Sequence, residues 1–83
     1  MAKVWDVNYK GHTITVENRW FSERLIVDGE LQDEQIGYDY RSRLFGKIRD
    51  GEGQGEFIKV SIGGTLTVCC RVFIDDRLVF SRG

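Results

Sequence analysis

Metal binding and nucleophilic catalysis both need reactive side chains in sets, and this chain supplies few of them. It has one histidine, His12, and two cysteines, Cys69 and Cys70. A zinc site built from these three would lack a fourth protein ligand of the usual kind. Adjacent cysteines in an extended segment also point to opposite faces, so both are expected as reduced thiols, one in the core and one facing away from it. Hydrolytic or acid–base chemistry needs a nucleophile beside a base, or paired carboxylates held in a cleft. The acids instead cluster in turns and on strand faces (Asp28, Asp33, Glu34, Asp75 and Asp76), where aspartate is favoured by its local backbone hydrogen bonds. Residues 50–56 alternate glycine with Asp50, Glu52, Gln54 and Glu56. Their acids would repel phosphate, and they lack the ligand order of an EF-hand, so a flexible solvated loop is expected. The catalytic, metal and cofactor inventories are therefore all expected to be empty.

Two segments stand out as binding candidates. Tyr38, Tyr40, Arg41, Arg43, Phe45, Lys47 and Arg49 interleave aromatic and basic residues, as surfaces that stack bases and neutralise a single-stranded backbone do. The competing reading is a strand that packs its aromatics inward and solvates its charges. The balance of 12 Lys and Arg against 13 Asp and Glu, net −1, favours that reading, because nucleic-acid modules are usually basic. Nucleic-acid binding is thus the alternative expectation. The second segment is Trp20-Phe21, whose rings either plug one end of the core or form an exposed contact.

The elements that must position these residues are strands. Trp5, Val7 and Tyr9 alternate with polar residues; His12, Ile14 and Val16 share a face opposite Thr13, Thr15 and Glu17; Ile58, Val60 and Ile62 share another. Lys10-Gly11, Asp28-Gly29 and Asp75-Asp76 mark tight hairpin turns. In the hairpin at Asp28-Gly29, Ile26 is expected across from Leu31 and Arg24 across from Asp33. A three-residue loop at Gly63-Gly64-Thr65 would pair Ile62 with Leu66, Val60 with Val68 and Ile58 with Cys70, keeping apolar residues on one face. The chain also repeats itself: Gly11-His12-Thr13-Ile14-Thr15-Val16 is echoed by Gly63-Gly64-Thr65-Leu66-Thr67-Val68, and residues 24–31 by residues 71–78. With 41% hydrophobic and 30% charged residues, the 83-residue chain reads as one all-β domain over 1–83. A small antiparallel β-sandwich or flattened barrel of about seven or eight short strands, built from two related meanders, is expected. Its core should be thin at this size. No apolar run is long enough for a bilayer and no signal-peptide core is visible, so a cytoplasmic protein without membrane contact is expected.

The blocks Val4-Trp5-Asp6-Val7, His12-x-Ile14, residues 24–30 ending in Val27-Asp28-Gly29, and Leu44-Phe45-Gly46-Lys47 resemble the N-terminal domain of the Fas apoptotic inhibitory molecule family. The order and spacing of the blocks agree over most of the length, and residues 58–78 fit that family's closing strands in pattern. The resemblance implies a compact β-sandwich that is not an enzyme and acts through protein contacts, in a family linked to restraining apoptosis and aggregation. The family protein usually carries two such domains, and this chain has one.

The principal expectation is accordingly a non-catalytic β-sandwich that binds a protein, with Trp20, Phe21, Ile26, Leu31, Phe73, Leu78 and Phe80 as contact candidates. An excess of apolar faces suggests that the partner is a second copy of the chain. In the last hairpin Val72, Ile74 and Val79 would share one face and Phe73, Leu78 and Phe80 the other, although a two-layer sandwich buries only one face of each sheet. The outer row, joined through the repeat to Ile26 and Leu31, would then form a homodimer patch.

Overall fold

Among the described residues three two-residue turns, at Lys10-Gly11, Asp28-Gly29 and Asp75-Asp76, have positive φ at all six positions, between 49° and 81°. Paired positive φ values match the right-handed twist of the flanking strands and close tight hairpins. The computed structural model describes residues 3–19, 21–36, 41–63 and 68–82; the side chains of Arg41 and Ser42 are also outside the described set. It shows eight strands: β1 (Lys3–Tyr9), β2 (His12–Asn18), β3 (Ser22–Val27), β4 (Glu30–Ile36), β5 (Arg41–Lys47), β6 (Phe57–Gly63), β7 (Cys69–Ile74) and β8 (Arg77–Arg82). They form two antiparallel four-stranded meanders, β1-β2-β3-β4 and β5-β6-β7-β8. The fold is the expected small all-β sandwich of two related halves.

One core lies between the sheets. The first contributes Trp5, Val7, Ile14, Val16, Leu25 and Val27, and the second Leu44, Ile58, Val60, Ile62, Cys70, Val72 and Ile74. Ile48, just past β5, seals one end, and Tyr9, Val68 and Phe80 pack at the margin. Alternation along β1, β2, β3, β6 and β7 sends every second residue inward, so the residues between them face out.

The two meanders share a backbone device. The Asp28 N–H donates to the Thr13 carbonyl at 2.8 Å, and the Thr13 N–H donates to Asp28 Oδ1 at 2.9 Å. In the second half the Asp75 N–H donates to the Phe57 carbonyl, and the Phe57 N–H donates to Asp75 Oδ1, both at 2.9 Å. Each hairpin is thereby fastened to the preceding strand. A bulge also follows at the same place in each, between Leu25 and Ile26 and between Val72 and Phe73.

These devices correct three expectations. First, β6 and β7 pair Ile62 with Cys70, Val60 with Val72 and Ile58 with Ile74, four residues from the expected register. The Asp75–Phe57 clasp sets this register; because four is even, every side chain keeps its expected face. Leu66 lies outside the described residues. Second, the structural counterpart of residues 11–16 is 55–60 rather than 63–68, since Thr13 and Phe57 hold the same place in the two clasps. The pairing of residues 24–31 with 71–78 is retained. Third, the bulges shift the outer strands by one residue. Arg24 sits across from Glu34, and its Nε donates to Glu34 Oε2 at 2.6 Å, while Leu25 faces Asp33; Ile26 does face Leu31. In the second half Phe80 faces Val72 and turns toward the core, so it leaves the row it was expected to share with Phe73 and Leu78.

The bulge in the first half serves the sandwich seam. It places Gln32 and Asp33 of β4 beside β5, whose outer edge would otherwise expose unpaired backbone groups. The Phe45 N–H donates to Asp33 Oδ2, the Lys47 N–H to Gln32 Oε1, and Gln32 Nε2 to the Lys47 carbonyl, each at 2.8 Å. Two side chains thus stand in for a neighbouring strand. Gly46 sits under this bridge: a Cβ there would lie 2.7 Å from Gln32 Oε1 and 3.0 Å from Leu25 Cδ2.

Candidate binding face

The outer face of the second sheet gathers residues from four strands. Leu44, Ile58, Val60, Val72 and Ile74 face the core, so Arg43, Phe45 and Lys47 of β5, Phe57, Lys59 and Ser61 of β6, and Arg71 and Phe73 of β7 face away from it. Cross-strand register then lines up Phe45, Lys59, Phe73 and Leu78 as one row across the sheet, with Arg43, Ser61, Arg71 and Ser81 as the next. Phe45 and Phe57, diagonal neighbours, stack with centroids 5.8 Å apart and planes 29° apart. Lys59 Nζ lies 5.2 Å from the Phe73 centroid, within cation–π range, and 4.0 Å from Asp76 Oδ1. Phe45, Phe57 and Leu78 remain 44%, 40% and 54% exposed. No aspartate or glutamate occupies these outward rows, and among the described residues Arg43, Lys47 and Arg71 have no acidic partner.

An open groove of about 680 Å³ continues this face at the β5 side. Phe45, Lys47 and Phe57 of the outer face line it together with Arg49, Gln54 and Gly55 of the β5–β6 loop. That loop is fastened rather than loose. Glu56 Oε1 accepts from the Tyr9 hydroxyl at 2.9 Å, and its carboxylate pairs with Lys10 at 3.2 Å. The Gly55 N–H donates to the Ile48 carbonyl at 2.8 Å, and Arg49 reaches Glu30 of the first sheet at 3.0 Å.

His12 supplies the remaining fastening. Its ring is buried, with Nδ1 2.6 Å from Asp28 Oδ2 and Nε2 2.7 Å from the Glu52 carbonyl. Both partners are acceptors, so this geometry favours the imidazolium, in which both nitrogens donate. The bond to Asp28, then that to the Glu52 carbonyl, raises the His12 pKa above its ordinary value, and the nearby Asp50 charge adds to this. The His12 bond and the Thr13 N–H hold Asp28 below its own. His12, Asp28 and Asp50 bring potential ligand atoms within 4.8 Å of one another. With both ring nitrogens bonded, however, His12 and Asp28 form a clasp that ties the loop to the first sheet through the Glu52 carbonyl.

The zinc combination considered from sequence is not assembled, because His12 gathers with Asp28 and Asp50 and not with Cys69 and Cys70. Both cysteines are free; Cys69 is half-buried, and burial pushes the Cys70 thiol up to about 12. The partner-contact candidates do not form one patch. Ile26 and Leu31 pair on the outer face of the first sheet, Phe73 and Leu78 on that of the second, and Phe80 turns inward. Phe21 is 67% exposed, which removes the plug reading for that ring, and Trp20 lies outside the described residues. Of the aromatic–basic segment, Tyr38 and Tyr40 lie outside the described residues and Arg41 is described only as backbone in β5. Arg43, Phe45 and Lys47 stand on the outer face, so Phe45 is not packed inward, and Arg49 flanks the groove. Phe57, Lys59 and Arg71 were missed. The outward phase of β6 was visible as Phe57-x-Lys59-x-Ser61, but joining it to β5 required the strand pairing.

No protein-family model, curated protein or solved structure matches the chain.

Proposed function

We propose that this domain is a non-catalytic binding module whose working surface is the outer face of the second sheet, and that it takes single-stranded nucleic acid. One observation carries the reading: that face sets exposed phenylalanines among cations with no acid between them, on a chain whose net charge is −1. Four cations on one face attract an anionic polymer locally even when the whole molecule does not. Exposed rings let bases stack, which an acidic peptide cannot use in the same way. Face-to-face pairing of two copies here would oppose like charges, which disfavours self-association through this surface.

The test is fluorescence anisotropy with a labelled single strand of about 12 nucleotides, with a duplex and polyglutamate as comparison ligands. Single strands should bind best. Neutralising three or four phosphates gives a slope of about −2 to −3 in log affinity against log salt. Phe73→Ala and Arg71→Ala should each weaken binding. Polyglutamate binding as tightly as the oligonucleotide, or no single-strand binding at low salt, refutes the reading.

A second reading rests on other residues. The protein-contact role implied by the resemblance to the Fas apoptotic inhibitory molecule family is supported by exposed apolar side chains outside the basic face, with Val4 55%, Phe21 67%, Leu31 51% and Ile36 80% exposed. Phe21→Ser with Leu31→Ser should abolish capture of such a partner while leaving oligonucleotide affinity unchanged.

A further inference from the structure

The outer face of the second sheet is open on most sides, but at the β5 end it runs into the groove lined in part by Arg49, Gln54 and Gly55 of the loop. This open groove differs from the rest of the face in what lines it. The stacked pair Phe45 and Phe57 line it together with Lys47 and Arg49, whose guanidinium also pairs with Glu30 at 3.0 Å, and no acidic side chain is among the lining residues. The backbone groups around it are mostly spent. Both the N–H and the carbonyl of Lys47 bond to Gln32, and the Gly55 N–H bonds to the Ile48 carbonyl. The side-chain amide of Gln54 has no hydrogen-bond partner among the described residues, and Gln54 lines the groove. The groove volume, about 680 Å³, lies within the range of small-ligand sites. The loop is held by the His12 imidazolium on the Glu52 carbonyl and by Tyr9 and Lys10 on Glu56, so a ligand would not have to order it.

We infer that this groove is a mononucleotide site, which takes a nucleoside monophosphate or the terminal nucleotide of a single strand: the base lies on Phe57 and Phe45 with its edge toward the Gln54 amide, and the phosphate sits between Lys47 and Arg49. The inference deepens the single-strand reading and rests on it. An aromatic pair, one free amide with both donor and acceptor, and two cations are complementary to the three parts of such a ligand. Inorganic phosphate would use only the cations, and a nucleoside only the rings and the amide.

Isothermal titration of the full chain with adenosine 5′-monophosphate, adenosine and inorganic phosphate as separate arms tests this. The monophosphate should bind at least about tenfold tighter than either fragment, and Phe57→Ala should cost about tenfold, as loss of one base-stacking contact does. Gln54→Ala, an exposed loop change that does not threaten folding, should weaken the monophosphate and adenosine arms and leave phosphate unchanged. Arg71→Ala and Phe73→Ala, on the open part of the face, should leave monophosphate affinity intact while weakening the oligonucleotide. Equal affinity for phosphate and the monophosphate overturns the site, as does monophosphate binding that Phe57→Ala and Gln54→Ala do not change. If the oligonucleotide binds and the monophosphate does not, the groove inference fails while the single-strand reading stands; if neither binds, both fail.

Discussion

The two meanders place matching residues on matching backbone and then use their outer faces for different ends. The Asp28–Thr13 and Asp75–Phe57 clasps align them, so Ile14 answers to Ile58, Val16 to Val60, Leu25 to Val72 and Val27 to Ile74, all facing the shared core. On the outward rows the same alignment sets Asp6 against Phe45, Asn8 against Lys47, Thr13 against Phe57, Thr15 against Lys59 and Glu17 against Ser61. Packing favours apolar side chains inside and so constrains both copies alike. The outer rows carry no such constraint, and acids and hydroxyls in one half stand where aromatics and cations stand in the other. The lesson is that the divergence between copies, rather than the repeat itself, points to the working surface.

The sharpest way to break this comparison is to cut both inner rows equally. Ile14→Ala and Ile58→Ala remove matched, fully buried side chains, and each should cost about 3 kcal/mol or more in a urea unfolding curve. A cost confined to one of them would mean that the halves do not share one core.

Gly46 holds the place that Val7 holds in the first half, since Gly46 faces Ile58 as Val7 faces Ile14. The Gln32 bridge fills the space where its side chain would stand. Gly46→Ala should therefore destabilise by about 1–3 kcal/mol, with Gln32→Ala relieving much of the clash in a double-mutant cycle. Additive costs would show that the bridge does not determine the glycine.

A third difference depends on pH. The His12 position is taken by Glu56 in the second half, so only the first clasp carries an imidazolium. A folded-state pKa raised above the unfolded 6.5 gives stability that is complete below that value and is lost as pH rises through the raised one. For Asp28 the sign is opposite: its contribution is complete above the unfolded 3.8 and is lost as pH falls through the lowered value. Urea midpoints measured from acid to mildly alkaline pH should fall as pH rises beyond 6.5 in the wild type. Asp28→Asn should flatten that fall, and Asp75→Asn should not. The same fall in both variants would remove His12 as its source.

The smallest stability change is expected on the outer face. Lys47→Ala and Arg71→Ala should shift stability by less than about 0.5 kcal/mol while weakening oligonucleotide binding, and Thr15→Ala on the first sheet should change neither. A loss of binding that followed stability instead of position would break the assignment.

Much of the architecture was legible in local pattern. The Asp28-Gly29 turn, the pairing of Ile26 with Leu31, the alternation in β1, β2 and β6 and the burial of His12 beside Ile14 follow from spacing and turn chemistry alone. The β6–β7 register did not, because several even shifts keep the same faces and the Asp75 clasp that selects among them joins residues 18 positions apart. Phe80 was placed on the wrong face because a bulge adds one residue without altering the hydrophobic pattern that sequence reading relies on. The basic face was half visible, in Arg43, Phe45 and Lys47, and half hidden, in Phe57, Lys59 and Arg71, which lie far along the chain from the first three.

What the sequence by itself determined is most of the strands, the inward and outward sides of β1, β2 and β6 and the tight turns, since each depends on residues within a few positions of one another. Tertiary structure alone decided which outward sides became neighbours, which edge Gln32 and Asp33 covered, and that His12 would hold a loop forty residues away by its Glu52 carbonyl. The physical reason is that side-chain polarity dictates burial locally, whereas register and seam are fixed by hydrogen bonds between distant segments that many sequences of the same pattern could satisfy differently.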